Sequence, residues 1–336
     1  MLNKIVKSNE FITFLILVVL SLAIGLKTPA FFSLATVFDV LRSSVVYSIM
    51  AFGLLLIVIS GGIDISFAAI AAVAAYATHN FLISRGYDGG ILPYYLIACS
   101  IGLLAGLLNG FIISQFNLPV FNVSLATMTM WYGFSLFFLG PLIKMNLPKG
   151  ARDYSTNFIT QVQDPFVGRA GLHVSILYVI IIGLFIWWLL KYTTLGRGIF
   201  AMGGNREVAV RSGFNIKGIT LIIFGILGVL SAIAGITQSL FLRIFNPALF
   251  IGQSLDVLAA VILGGAAITG GRGSVIGTFM GVILIQLINR SMILTGIPVE
   301  WQKFVVGIIL IFFISIPGIR DLRKQKSSHT TELAEE

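Results

Sequence analysis

The sequence is poor in charged residues. Only 10% of its 336 residues are Asp, Glu, Lys or Arg, whereas 57% are hydrophobic. A typical soluble domain has about 25% charged residues. A water-exposed surface of this size requires more charge than this chain has, and the same composition excludes a disordered chain. The sequence therefore predicts an all-α polytopic membrane protein, in which lipid replaces water around the apolar surface.

Cysteine is almost absent, since Cys99 is the single one, so no disulfide framework is expected. The three histidines, His79, His173 and His329, do not have the spacing of metal ligands. Paired carboxylates, a Ser/His/Asp set and an HExxH motif are also absent. The glycine-rich run 263–274 lacks the Gly-Lys-Ser/Thr ending of a phosphate-binding loop, and we interpret it as helix packing and turns. We therefore expect no enzymatic activity, no cofactor and no metal site.

The net charge of +9 comes from basic residues that lie mainly between and beside apolar runs. This placement indicates membrane topology and contact with anionic lipid rather than binding of nucleic acid. Lys4 and Lys7 precede the apolar run 11–26, which no convincing signal-peptidase site follows, so we interpret the run as a retained anchor. The basic residues of 191–217 and of the tail 319–336 favour cytoplasmic N- and C-termini.

Apolar runs of about 20 residues predict the membrane spans. We expect a single domain, 1–336, with about ten spans; eight spans are the alternative, because several boundaries are Gly or Pro clusters rather than charged loops. Their approximate bounds are 10–27, 43–60, 64–84, 91–115, 120–143, 172–190, 217–242, 254–270, 273–292 and 300–318.

Two pairs of spans resemble each other at an offset of five spans. The third and eighth begin with Ile63-Asp64-Ile65 and Leu255-Asp256-Val257. The fourth and ninth carry glycine at every fourth position, which permits close helix packing. Because five is odd, the sequence predicts five-helix inverted repeats, as in many transporters. The glycines in question are Gly102, Gly106, Gly110, Gly273, Gly277 and Gly281.

The segment 191–217 is the longest polar stretch predicted on the inner side. Asn205 is placed to cap a short helix, with Glu207 in its first turn and Gly213 after its end. A capped amphipathic helix is more than topology requires, so we expect a docking surface here.

Several polar residues lie in or beside the apolar runs. Asp64 and Asp256 each follow a polar break, and capping of the next helix ranks ahead of direct substrate contact for both. Trp131 lies inside the fifth span among amide and hydroxyl groups, an arrangement that suits a neutral sugar or polyol. Hydrogen bonding between helices remains the alternative. The candidate pathway residues are Asp64, Asn122, Ser124, Thr127, Trp131 and Asp256.

Three motifs resemble those of permease subunits of bacterial sugar ABC importers of the ribose, xylose, arabinose and galactose type. They are Gly61-Gly62-Ile63-Asp64-Ile65-Ser66; Ala201-Met202-Gly203-Gly204-Asn205 with Ala209 and Ser212-Gly213; and Leu255-Asp256 to Ala260 with Leu263-Gly264-Gly265 and Gly270 to Ser274. The chain departs from the family's usual residues at Phe67-Ala68, Arg206 and 266–269.

The resemblance implies two permease subunits, expected to be identical, two ATPase domains on separate chains and a periplasmic sugar-binding protein. It also implies a location in the bacterial inner membrane. Branched-chain amino acids, as cargo of a related ABC permease, and an ion-gradient-driven secondary transporter are the alternatives. By the same resemblance, the segment that couples to the ATPase includes Gly203, Gly204, Asn205, Glu207, Arg211, Ser212 and Gly213.

Overall fold

The computed structural model describes residues 9–165, 168–296, 298, 300–308 and 311. The helices are α1 (Asn9–Lys27), α2 (Leu34–Ile59), α3 (Phe67–Ser84), α4 (Leu92–Phe116), α5 (Val120–Phe134), α6 (Lys149–Arg152), α7 (Ile176–Tyr192), α8 (Thr194–Gly204), α9 (Arg206–Arg211), α10 (Ile216–Leu242), α11 (Ser254–Leu263) and α12 (Val275–Leu294). Residues 300–308 are also helical.

Five helices within the described ranges, α2, α3, α4, α10 and α12, are long and apolar enough to cross a membrane. The number rises to six if α7 and α8, which meet at a bend of 73°, form one span. The chain is thus a helical membrane protein, but the expected ten spans are not confirmed. The fifth candidate becomes a π-helical turn at Ser135–Leu139, and the eighth is helical for only 10 residues. The end of the tenth candidate and the basic tail 319–336 lie outside the described residues.

Polar side chains set the beginning of several helices. Ser33, Asn215 and Ser274 accept backbone N–H bonds from the third residue that follows each of them, at the starts of α2, α10 and α12. Such caps satisfy N–H groups that have no partner within the helix. These three helices therefore begin at defined residues that their apolar runs alone do not specify.

Glycine allows the central helices to approach closely. Helix α10 packs along α4, where a Cβ on Gly228 would overlap the carbonyl oxygen of Gly102. Gly106 and Gly110 lie against Phe224 of the same helix. On the other side of the bundle, Gly277 and Gly281 of α12 lie against the backbone of α11, and Gly273 lies against Ile59. Both glycine series thus lie at helix contacts rather than on free surfaces.

The description all-α is wrong in one region, because residues 158–164 and 168–173 form an antiparallel pair of strands, hereafter the hairpin. Strand β1 (Phe158–Asp164) pairs with β2 (Gly168–His173), and Phe158 faces His173 across the pair. Strand β1 is rich in β-branched and aromatic residues (Phe158, Ile159, Thr160 and Val162), which is typical of a strand, and its apolar run is too short for a spanning helix. The hairpin packs on α2 and defines one end of the bundle, hereafter the hairpin side. The opposite end, which α7 reaches, is the α9 side.

Candidate functional site

The α9 side carries a two-helix projection after the bend at Thr193. The Thr193 hydroxyl accepts the Gly196 N–H at 3.0 Å and begins α8. Asn205 Oδ1 then accepts the N–H groups of Glu207 and Val208 at 3.0 and 3.1 Å, so Asn205 caps α9 as the sequence predicts. The preceding helix α8 was not expected, because its glycines are typical of a loop.

The charges of α9 complement its backbone. Glu207 lies in the first turn and Arg211 in the last, where each opposes the partial charge of the nearby helix end. Buried Ala209 holds α9 against the bundle, whereas Val208 and Val210 are both 56% exposed. A capped helix with two exposed valines at the end of a membrane bundle is a surface suited to a protein partner. The remaining predicted coupling residues, Gly204, Ser212 and Gly213, are also exposed.

Near the C-terminal end of α8, Gly203 lies against backbone atoms of two segments that are distant in the sequence. A Cβ on Gly203 would overlap the carbonyl oxygen of Ile59 and lie 2.5 Å from the Gly271 nitrogen. The Gly271 N–H donates to the Ile59 carbonyl at 2.8 Å. A Cβ on Gly270 would lie 2.7 Å from Gly203 O and 2.8 Å from Gly61 Cα. We call Gly61, Gly203, Gly270 and Gly271 the glycine junction.

Glycine is required at the junction for a second reason. Gly270 and Gly271 have φ values of +89° and +74°, in the left-handed region that other residues rarely adopt. The backbone can therefore turn tightly between α11 and α12 and still touch α8. The junction joins the end of α8 to the break before α3 and to the loop after α11.

Asp64 lies in that break and is fully buried. Its carboxylate accepts the Ser66 N–H at 2.7 Å and the Phe67 N–H at 3.1 Å, and Ser66 Oγ donates to it at 2.9 Å. Asn109 of α4 donates to Ser66 Oγ at 2.8 Å. The carboxylate thus occupies the N-terminus of α3, as the capping interpretation expects.

Asp256 has a different role from Asp64. It lies in the first turn of α11, and Lys303 Nζ donates to its carboxylate at 2.5 Å and to Gly252 O at 2.9 Å. No capping bond from the Asp256 side chain is present within the described ranges, so the capping interpretation of Asp256 is wrong. Lys303 satisfies the buried carboxylate instead.

The helix break before α3 and the helix break before α11 contact each other. Ser254, the first residue of α11, donates from its hydroxyl to the Ile65 carbonyl at 3.2 Å. The structure therefore brings the Asp64 and Asp256 segments together, although 192 positions separate the two residues along the chain. Nothing in either sequence motif identified the other as its neighbour.

The other candidate pathway residues lie on α5. Ser124 and Thr127 are buried and donate to backbone carbonyls of their own helix. Trp131 is half-buried, and its indole Nε1 has no partner in the described part of the chain. Asn122 is exposed. The structure thus divides the α5 candidates between the protein-facing and the exposed side of one helix.

The fold and this site define a multi-pass helical membrane protein with a capped helix projecting at one end. The chain belongs to the family described as the permease component of branched-chain amino acid transport systems, whose sequence profile matches residues 36–314. It is thus a membrane permease subunit of an ABC importer and not an enzyme.

Curated relatives cover nearly all of the chain. The galactose/methyl galactoside import permease protein of Escherichia coli is 31% identical, over 96% of this chain and 99% of the relative. The ribose import permease proteins of Escherichia coli and Bacillus subtilis are 27% and 28% identical, over 89% and 90% of this chain and 91% and 90% of the relatives. No solved structure gives a significant match.

Proposed function

We propose that this chain passes a monosaccharide or a related small polyol across the bacterial inner membrane in an ATP-driven importer. A separate ATPase chain supplies the energy, a periplasmic sugar-binding protein delivers the cargo, and a second, identical permease subunit completes the membrane part in contact with lipid. Both termini are then cytoplasmic. The observation that carries the proposal is the glycine junction, which links the end of α8 to the break before α3 and to the loop after α11.

The coupling step follows from that contact. Exposed α9 seats in the ATPase through the segment Gly203 to Gly213, and α8 moves with it. Because Gly203 touches Ile59 and Gly271 through backbone atoms, no side chain can change rotamer and absorb the displacement. The motion passes to the start of α3, which Asp64 caps, and to the loop between α11 and α12.

The two connected breaks suit alternating access. With α3 and α11 as the corresponding helices of two inverted repeats, displacement at the junction would open one end of the bundle and close the other. The pathway then uses the polar groups beside the breaks and on α5. These groups are Asp64, Asn122, Ser124, Thr127, Trp131 and Asp256.

A sugar is favoured over an amino acid as cargo. The relatives named above are import permeases for galactose, methyl galactoside and ribose, whereas the family description names branched-chain amino acids. A zwitterion requires fixed charges or helix ends along its path. Here the Asp64 carboxylate already accepts the Ser66 and Phe67 N–H groups. The Asp256 carboxylate is paired with Lys303, and the polar groups of α5 are uncharged.

The test is reconstitution of the chain in liposomes with its ATPase and binding protein, followed by uptake of labelled galactose, ribose and leucine. We expect sugar uptake that requires ATP and the ATPase and that survives an uncoupler. Glu207→Lys should lower uptake at least about tenfold because it reverses the charge at the α9 N-terminus, while Glu207→Gln serves as the milder control. Leucine uptake alone would instead support the amino-acid alternative, and uptake without the ATPase would support an ion-gradient-driven transporter.

A further inference from the structure

One side of α5 carries polar groups that the fold leaves without partners. Trp131 Nε1, Tyr132 OH and Ser135 Oγ are buried atoms with no hydrogen-bond partner among the described residues. Ser135 is completely buried, at 0% exposure. Ser135 follows directly after α5 and lies four residues after Trp131 and three after Tyr132, so its side chain neighbours both of theirs on the helix surface. Ser124 and Thr127, nearer the α9 side, bond their own backbone instead.

Helix α3 supplies the opposite wall. It packs against α5 and against the π-helical turn that follows α5. Asn80 Nδ2 donates to the Leu139 carbonyl of that turn at 3.1 Å, while Asn80 Oδ1 is buried and has no partner within the described ranges. Tyr76 OH donates to the Leu142 carbonyl at 2.7 Å. These bonds close the seam between α3 and α5 at the hairpin side.

Packing alone does not explain why these four polar groups are buried without hydrogen-bond partners. Burying a donor or acceptor without a partner costs about 1–3 kcal/mol. Three such groups lie within five residues at the end of α5, and the fourth belongs to Asn80 of α3, which bonds the turn that follows α5. A π-helical turn begins at Ser135, and such turns are frequent at functional sites. The four groups therefore indicate an occupant that supplies the missing hydrogen bonds.

The chemistry of the four groups defines that occupant. Trp131 Nε1 only donates, Asn80 Oδ1 only accepts, and the Tyr132 and Ser135 hydroxyls do both. No member of the set is charged. Neighbouring hydroxyls of a sugar donate and accept together, and the C–H faces of its ring pack on aromatic rings such as those of Trp131 and Tyr132. An anion or a cation would remain uncompensated here.

We propose that Asn80, Trp131, Tyr132 and Ser135 form a subsite that binds the hydroxyl groups of a neutral monosaccharide when the seam between α3 and α5 opens during transport. The subsite rests on the proposed function and deepens it, because it assigns a point of sugar contact inside the permease itself. It lies near the hairpin side, beyond the two helix breaks.

The test uses Tyr132→Phe and Ser135→Ala in the reconstituted importer, with galactose as the probe. Each variant removes a single oxygen atom, so the fold is kept. We expect uptake to fall about three- to tenfold, as for the loss of one hydrogen bond to the sugar. Thr129→Val is the matched control, because Thr129 lies on the exposed side of α5 and donates to its own helix at Leu125 O. Its uptake should equal that of the wild type.

Thermal stability separates recognition from a structural role. Removal of a buried hydroxyl that has no protein partner also removes its desolvation cost, so the Tm of the sugar-free variants should be unchanged or higher. A lower Tm together with lower uptake would overturn the proposal, because the hydroxyls would then be structural. Unchanged uptake in both variants would overturn it as well and would assign the groups to ordered water. Failure of the wild-type importer to take up any sugar would instead overturn the proposed function, and the subsite with it.

Discussion

The two ends of the bundle are held together in different ways. On the α9 side, the glycine junction joins three segments through backbone atoms. On the hairpin side, β1 and β2 are held by long side chains. Arg42 of α2 lies over the rings of Phe158 and Phe241, at 5.5 and 5.0 Å from their centroids, and its guanidinium donates to the Ser155 carbonyl at 3.4 Å.

The two kinds of contact respond differently when a helix is displaced. A backbone contact has no rotamers, so a displacement at one side must appear at the other. Contacts made by arginine and aromatic side chains can shift while they keep much of their energy, because each has several rotatable bonds. Under the proposed coupling, the α9 side would pass on a movement of the ATPase, and the hairpin side would remain folded while the transmembrane helices move.

The largest expected effect comes from adding a side chain at the junction. Gly203→Val would drive a Cβ into the Ile59 carbonyl, and no rotamer relieves an overlap of the Cβ itself. We expect ATP-driven uptake to fall by more than about tenfold. Gly90→Val is the matched control, because Gly90 is exposed, lies outside the coupling segment, and a Cβ on it meets no atom within 4 Å. Equal uptake in the two variants would show that the junction transmits nothing.

A smaller effect is expected where side chains make the contact. Arg42→Ala should cost the hairpin about 1–2 kcal/mol, because two cation–π contacts are lost. The hairpin should then open more often, and trypsin should cleave faster after exposed Arg169. Arg85→Ala is the control, since Arg85 lies over Phe81 and belongs to a different contact. An unchanged cleavage rate in Arg42→Ala would mean that Arg42 does not hold the hairpin.

The smallest expected effect is a pH dependence at His173. The Ser175 N–H donates to His173 Nδ1 at 3.1 Å, and His173 Nε2 lies 2.7 Å from the Tyr154 carbonyl, so the neutral ring with a proton on Nε2 satisfies both bonds. Burial lowers the pKa of His173, and the Arg42 charge lowers it further. The unfolded hairpin then binds more protons, so its stability is complete above about pH 6.5 and falls as the pH drops below that value.

Hydrogen exchange of residues 158–173 measures this effect directly. Exchange should be faster at pH 5.5 than at pH 7.5 after correction for the intrinsic rate. In His173→Gln the corrected difference should disappear. A difference that persists in the variant would assign the pH dependence to another group.

The sequence predicted the long central helices well but placed some of their ends wrongly. The second span was expected at about 43–60, yet α2 begins at Leu34 and includes the charged residues Asp39 and Arg42. Both charges have tertiary partners: Asp39 accepts from Arg290 at 2.6 Å, and Arg42 lies over two aromatic rings. A charge satisfied by a distant residue cannot be recognised from local hydropathy.

The candidate site shows the same limit. The Asn205 cap was predictable, because it depends on residues within three positions along the chain. The contact of Gly203 with Ile59 and the pairing of Asp256 with Lys303 join segments that lie far apart in the sequence. The glycine pairs Gly61-Gly62 and Gly270-Gly271 indicated turns, but they carried no information on which backbone lies against them.

The alanine content of α3 has a mechanical consequence. Seven of its 18 residues are alanine, and most of the helix is buried. Alanine has no side-chain torsion to reset, and its methyl groups form low ridges. We therefore expect α3 to slide along its own axis by a fraction of a turn at little energetic cost. A displacement of its N-terminal end would then move its C-terminal end as well, and the helix would not unfold locally.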